Sequence, residues 1–371
     1  MEPQQPFALG APTAVEPNAI ARGLADLWKR ADEELRDTGQ HALIRSCTLN
    51  FAVVLPRAEL IQQAAAAAAA LTLRHPSRIF LVSAEPQAET SKLEASVSAL
   101  CHLAAPGGRH ICCEQVTVIA LGDAVRRLTQ LILGLLIPGV PLVVWWRSGL
   151  SFDLPLFQGL THIADRLIVD TAEFDTPAAA LTRLAQLLKQ RPLALADLAW
   201  NRLTCWRELT AQFFDAAQQR PYLDRLDRVA VETGGGALPP EGLLWLGWLA
   251  SRLGWTPTGA HAADGGYVCT LESRAGGVNA EVRSSGADSR TVRRLELAAG
   301  GEARFTVEQQ QTGYARATTH FREQSMPLRT VPLRSYDTVQ LLSDELDFIG
   351  RDRVYEDALR VAARVAELLV E

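Results

Sequence analysis

The chain has 371 residues, 48% of them hydrophobic and 21% charged, with a formal net charge of -5. That length exceeds one ordinary domain, and the apolar fraction is enough to fill more than one core. The acidic balance and the absence of any Lys/Arg block exclude the electrostatic footprint of a nucleic-acid binder.

Residues 1–18 are rich in Pro, Ala and Gln and lack a basic stretch followed by an apolar one, so they read as a loose arm rather than a secretory leader. Residues 42–55 alternate and are rich in Val, Leu and Ile, which predicts a strand, and the alanine run within 57–73 predicts a helix. Strands follow at 77–83, 95–103 and 110–120, then a helix at 122–136 and a buried strand at 141–146. The apolar run 128–146 is broken by Gly134, Pro138, Gly139 and Pro141. A membrane helix needs about 20 unbroken apolar residues, so helix, turn and buried strand fit better and no membrane partner is expected. A short helix at 155–164, a strand at 165–170 and a helix at 177–189 complete an alternating order that argues for an α/β layer structure.

A second unit opens with a helix over 197–215, then a strand at 225–232, a turn at Gly234-Gly235-Gly236 and an apolar helix at 240–253. Between 267 and 321 the pattern changes to short strands at 267–271, 278–283, 291–297, 303–309 and 315–321, the spacing of an antiparallel meander. Two amphipathic helices fall within 337–371. The expected organisation is an arm with a first helix over 1–40, an N-terminal α/β domain over 41–190, a C-terminal α+β domain over 191–325 and a helical tail over 326–371. The fold class is α/β in two units.

Catalytic motifs are missing. No Gly-x-Gly-x-x-Gly follows a strand, and no phosphate-binding Gly-x4-Gly-Lys, Gly-x-Ser-x-Gly or His-Glu-x-x-His occurs. The triple glycine precedes Ala237 and two prolines and reads as a turn. If 95–103 and 110–118 pair around Pro106-Gly107-Gly108, Cys101 and His102 lie across from His110, Cys112 and Cys113. Thiols and imidazoles are zinc ligands, but strand alternation sends Cys112 and Cys113 to opposite faces, which argues against a metal. Two readings remain: a redox pair of Cys101 with Cys112 or Cys113, or small buried hydrophobes. With six cysteines and no Cys-x-x-Cys, the expected compartment is a reducing cytoplasm.

His75, Ser77 and Arg78 combine an imidazole, a hydroxyl and a guanidinium that could hold an anion; the alternative is a loop entering a strand, with Arg78 paired to a carboxylate. Asp153, Asp165 and Asp170 read as capping and ion-pairing carboxylates rather than acid/base catalysts. In the 197–215 helix, Asp197 is the N-cap and Ala199, Leu203, Trp206, Thr210 and Phe213 form a buried stripe. Beside it runs a row of Trp200, Thr204, Arg207, Ala211 and Phe214, which is either a docking surface or the margin of a wide core stripe. Trp145 in Trp145-Trp146-Arg147 is a second candidate contact, unless helices cover both faces of that strand.

The segment Asp-Leu-Ala-Trp-x-Arg-Leu-Thr-x-Trp-Arg-Glu-Leu from Asp197 resembles the signature of the glucose-6-phosphate dehydrogenase assembly proteins, the OpcA family. His75-Pro76-Ser77-Arg78, the run from Leu136 through Pro138-Gly139-Val140-Pro141 to Trp145-Trp146, and Ala-Asp-Arg-Leu-Ile-Val-Asp at 164–170 fit the same family in the same order. The resemblance implies a non-enzymatic protein that docks on glucose-6-phosphate dehydrogenase and favours its active oligomer, supporting the oxidative pentose phosphate pathway, with no cofactor of its own. Some relatives in photosynthetic bacteria respond to thioredoxin, but no family redox pair carries over to these cysteines. The alternative is a sugar-phosphate-binding enzyme or sensor that uses the His75-Ser77-Arg78 turn.

Overall fold

The structure is a computed structural model that describes residues 7–8, 11–38, 43–103, 110–147, 149, 151–234, 239–285, 292–311, 313–322, 324–333, 337–348 and 350–370. Pro106-Gly107-Gly108 and Gly235-Gly236 lie outside the described residues. The chain divides into two compact units. One holds residues 1–169, 193–195 and 338–351; the other holds 170–192, 196–337 and 352–371. The two tail helices belong to different units.

The first unit contains β1 (Phe7–Ala8), β2 (Thr13–Val15), α1 (Ile20–Thr38), β3 (Leu43–Arg45), β4 (Leu49–Leu55), α2 (Ile61–Leu71), β5 (Ser77–Glu85), β6 (Lys92–Leu103) and β7 (His110–Leu121). It continues with α3 (Leu128–Leu133), β8 (Leu142–Trp146), α4 (Pro155–Ile163) and β9 (Arg166–Val169). The helix α5 (Pro177–Gln190) belongs to the second unit, and β10 (Ala194–Asp197) follows it, with Ala194 and Leu195 in the first unit. The sheet runs β1-β6-β7-β5-β4-β8-β9-β10, with β2 added on β6 and β3 on β7. Neighbours from β7 to β9 are parallel, and β6 joins antiparallel. Residues 7–8 and 13–15 are therefore strands on β6, not a loose arm. Every residue of β4, β8 and β9 is buried, as expected of parallel strands covered on both faces.

The second unit contains α6 (Leu198–Arg202), α7 (Thr204–Gln212), β11 (Leu226–Thr233), α8 (Pro240–Leu253), β12 (Thr256–Ala263), β13 (Gly266–Ser273), β14 (Gly276–Ser284) and β15 (Val292–Ala299). Its last strands are β16 (Ala303–Gln309), β17 (Tyr314–Phe321) and β18 (Gln324–Pro332). The helix α9 (Thr338–Leu346) belongs to the first unit and packs on α2; α10 (Arg353–Leu368) packs on α8 and α5 in the second. The eight-stranded sheet runs β12-β13-β14-β11-β15-β16-β17-β18. It is antiparallel except where β11 enters parallel to β14, so the expected meander is interrupted. Period-two alternation buries Val229, Val231, Leu295, Leu297, Phe305 and Val307 on one face, where α7 and α8 pack. Phe213 and Phe214 of the chain after α7 close on Phe305, with ring centroids 5.4 and 4.9 Å away. Among the described residues no helix is long and apolar enough to cross a membrane.

Candidate functional site

The predicted 197–215 helix breaks in two at Leu203, whose backbone ends α6 and begins α7. Asp197 is the N-cap, accepting from the Ala199 N–H at 3.0 Å. Leu203, Trp206 and Phe213 are buried as the stripe requires. Trp200, however, belongs to the core: it is 4% exposed, and its indole N–H donates to Asp352 Oδ2 at 3.0 Å. Asp352 is itself the N-cap of α10, accepting from the Tyr355 N–H at 3.0 Å, and the Tyr355 ring lies 5.5 Å from Trp200. The Arg207 guanidinium stacks 3.5 Å from the Trp200 ring centroid and donates to Thr204 Oγ1 at 3.1 Å. Burial lowers the Arg207 pKa to about 10, so it remains a cation at neutral pH. The row is thus a joint fastening α6 to the start of α10, and what reaches solvent is the margin of half-buried Thr204 and Arg207 with exposed Ala211.

Behind this joint lies a polar cluster whose partners were not visible from local pattern. Asp197 also accepts from the Thr171 N–H at 3.0 Å and the Thr171 hydroxyl at 2.6 Å. Asp170 takes both arms of Arg202, at 2.9 and 2.5 Å, which is the ion-pairing role expected of it. Glu241, on α8, is 1% exposed and stands 4.0 Å from Arg202. Three buried carboxylates thus face one guanidinium. Burial, with Asp170 adding to it, pushes Asp197 up to about 7 against the hydrogen bonds that oppose the shift. Burial pushes Glu241 up to about 8. The sequence signal that existed was the N-cap pattern Asp-x-x-Tyr at 352–355; nothing local pointed to Glu241.

The His75-Ser77-Arg78 group does not converge on an anion. Arg78 donates to Glu114 Oε2 at 2.6 Å and to the Leu135 carbonyl at 2.5 Å. His75 Nε2 lies 3.2 Å from Ser343 Oγ, burial lowering its pKa, and Ser77 is buried in β5. Glu114 also receives Trp28 Nε1 at 2.6 Å and Arg45 at 2.6 Å, so its charge is already matched. Trp145 is 1% and Trp146 0% exposed because both faces of β8 are covered; neither offers area to a partner. Trp146 meets Phe157 of α4 edge-on at 4.9 Å, and Arg147 stacks 4.8 Å from the Trp145 ring. In the β6–β7 hairpin Cys101 faces Cys112, and the two form a disulfide with Cα atoms 4.1 Å apart. Cys113 is a free, buried thiol pushed up to about 11 by its burial. A disulfide and one free thiol on the opposite face make no ligand set.

Comparison with known proteins places this geometry. Residues 68–186 match a family model described as the glucose-6-phosphate dehydrogenase subunit N-terminal domain, and residues 193–359 match the corresponding C-terminal domain. A protein of Nostoc punctiforme named for the OxPP cycle as OpcA is 32% identical over 316 residues, covering 80% of this chain and 67% of that protein. A protein of Synechocystis with the same name is 30% identical over 330 residues, covering 79% of this chain and 64% of that one. The chain therefore spans about two thirds of the length of these relatives. An oxidoreductase from Sinorhizobium meliloti superposes with a TM-score of 0.50 at 10% identity, covering 88% of this chain and 97% of that one, a likeness of fold alone. On the two domain matches and the identity to these relatives, the chain belongs to the OpcA family of glucose-6-phosphate dehydrogenase assembly proteins.

Proposed function

We propose that the protein is a non-catalytic assembly factor of the cytoplasm that binds glucose-6-phosphate dehydrogenase and favours its active oligomer, supporting the oxidative pentose phosphate pathway. The observation that carries this reading is the match of both halves of the chain to domains described as those of a glucose-6-phosphate dehydrogenase subunit. A protein that binds the active form of its partner more tightly than the inactive form must shift the population toward it, and a preference of about 1.4 kcal/mol changes the ratio tenfold. Such a protein needs no cofactor of its own; the dehydrogenase brings the nicotinamide nucleotide. The proposed contact is the accessible margin of α7, with Arg207 and Thr204 held in place by the buried Trp200. The sugar-phosphate reading has no such support, because Arg78 is already paired with Glu114.

Mixing the purified protein with purified dehydrogenase tests the proposal. Co-elution with a raised dehydrogenase rate is expected. Calorimetry that detects tight binding of glucose 6-phosphate, with no effect on the dehydrogenase, would sink it. We further propose that the Cys101–Cys112 pair responds to thiol redox state. Alkylation and mass spectrometry with and without reductant should then show that pair changing together, whereas six free thiols under both conditions would end that idea.

A further inference from the structure

The strands of the first unit lie in the order β7-β5-β4-β8-β9-β10. Counted by the order in which the chain lays them down from β4, with the antiparallel β6 set aside, this is 3-2-1-4-5-6, the arrangement of doubly wound dinucleotide-binding domains. In such a sheet the strand order reverses between β4 and β8. A dinucleotide lies across the carboxyl ends of the strands there, its pyrophosphate on backbone N–H groups at the start of the helix after the first strand. Glycines let the backbone approach, and an acidic residue beyond the second strand holds the ribose.

This chain's residues do not fit that ligand. The first strand runs into Pro56-Arg57-Ala58-Glu59, with no glycine and with a proline that has no N–H to offer. Glu85, the last residue of the second strand, stands where the ribose-binding acid would, but it is turned back on the protein. Its Oε1 accepts from the Ala58 N–H at 3.0 Å and from the Ser83 hydroxyl at 3.3 Å. A carboxylate of the chain thus takes the Ala58 N–H at the helix start that would hold the pyrophosphate, and a second anion there would meet its charge. Across the switch point, Gly149 packs on Pro56, where a Cβ would stand 3.1 Å from the proline Cβ. The Arg147 N–H donates to the Val54 carbonyl at 3.1 Å, drawing the two strand ends together.

We infer that the N-terminal unit is a doubly wound domain whose dinucleotide crevice is closed from within by Glu85, Pro56 and Gly149, so that this chain takes neither NAD(H) nor NADP(H). The acid that would read a ribose has become the cap of the helix that would bind a phosphate. This inference stands apart from dehydrogenase binding and is tested without the dehydrogenase.

The full chain alone is titrated with NAD+, NADP+ and NADPH by calorimetry, by NADPH fluorescence and by thermal melting. The expected result is no saturable heat, unaltered NADPH emission and a Tm unmoved by about 1 mM of each, whereas a ligand present at about a hundred times its Kd raises Tm by several degrees. One-to-one binding in the micromolar range overturns the inference. Glu85→Ala should lower Tm by several degrees and Glu85→Gln, which keeps an acceptor for the Ala58 N–H, by less; an unchanged Tm in Glu85→Ala removes the capping role on which the closure rests. If the dinucleotide binds, dehydrogenase co-elution is untouched, so the two claims fail separately.

Discussion

Asp197 and Glu241 were legible in the sequence to different degrees. Asp197 precedes an apolar helical run, which marks an N-cap, and the structure places it there. Glu241 sits in the first turn of an apolar helix, and nothing near it in sequence discloses that Arg202 and Asp170 are its neighbours in space. Their shared burial has a consequence in pH. Both carboxyls titrate in the folded protein at values raised above those of the unfolded chain, to about 7 and about 8. The stability they contribute is complete below the unfolded carboxylate range and is lost as pH rises through those values. Tm should therefore fall between about pH 4 and about pH 8, and Glu241→Gln should flatten the upper part of that fall. Melting curves across this range check it; a Glu241→Gln profile parallel to the wild type would contradict it. The Trp200–Arg207 row divides similarly. Its composition left a docking surface and the margin of a wide core stripe both open, because burial is a tertiary property. Trp200→Ala should cost about 3–5 kcal/mol of stability, measured by denaturant unfolding. Arg207→Ala should cost about 1 kcal/mol or less, and should weaken dehydrogenase binding at least about fivefold if the margin of α7 is the contact.

Among the elements, those that bury a face announced themselves. The alanine-rich α2, the apolar α8, the alternating β13 to β17 and the two tail helices all follow from period and composition. The strands β12 and β18 did not. They form the two edges of the eight-stranded sheet, they contain Pro257, Gly259, Pro327 and Pro332, and most of their residues are exposed, so no alternation marks them. The parallel insertion of β11 beside β14 escaped for another reason: pairing between distant strands leaves no trace in local pattern. Gly247 carries a testable element-scale constraint. A Cβ there would stand 2.3 Å from the Ala358 carbonyl oxygen, so α8 and α10 approach backbone to backbone. Gly247→Ala should force the helices apart and cost about 1–3 kcal/mol despite the better helix propensity of alanine. An equal or raised Tm would show that the helices yield freely.

At the scale of the whole molecule, the sequence pattern indicated two α/β units, while the sheet order in the first unit emerged only from the structure. That order shows a dinucleotide-type scaffold whose crevice residues, Pro56 and Glu85, are turned to internal packing. The chain's family is that of glucose-6-phosphate dehydrogenase assembly proteins, and the role proposed above is exerted on the dehydrogenase. The most direct measurement is therefore the mass and rate of glucose-6-phosphate dehydrogenase, by light scattering on a sizing column and by assay of the same fractions, with and without this protein. The account predicts a co-eluting complex, a larger share of the active oligomer and a higher rate. A dehydrogenase that elutes alone, with oligomer distribution and rate unchanged by excess protein, would contradict it.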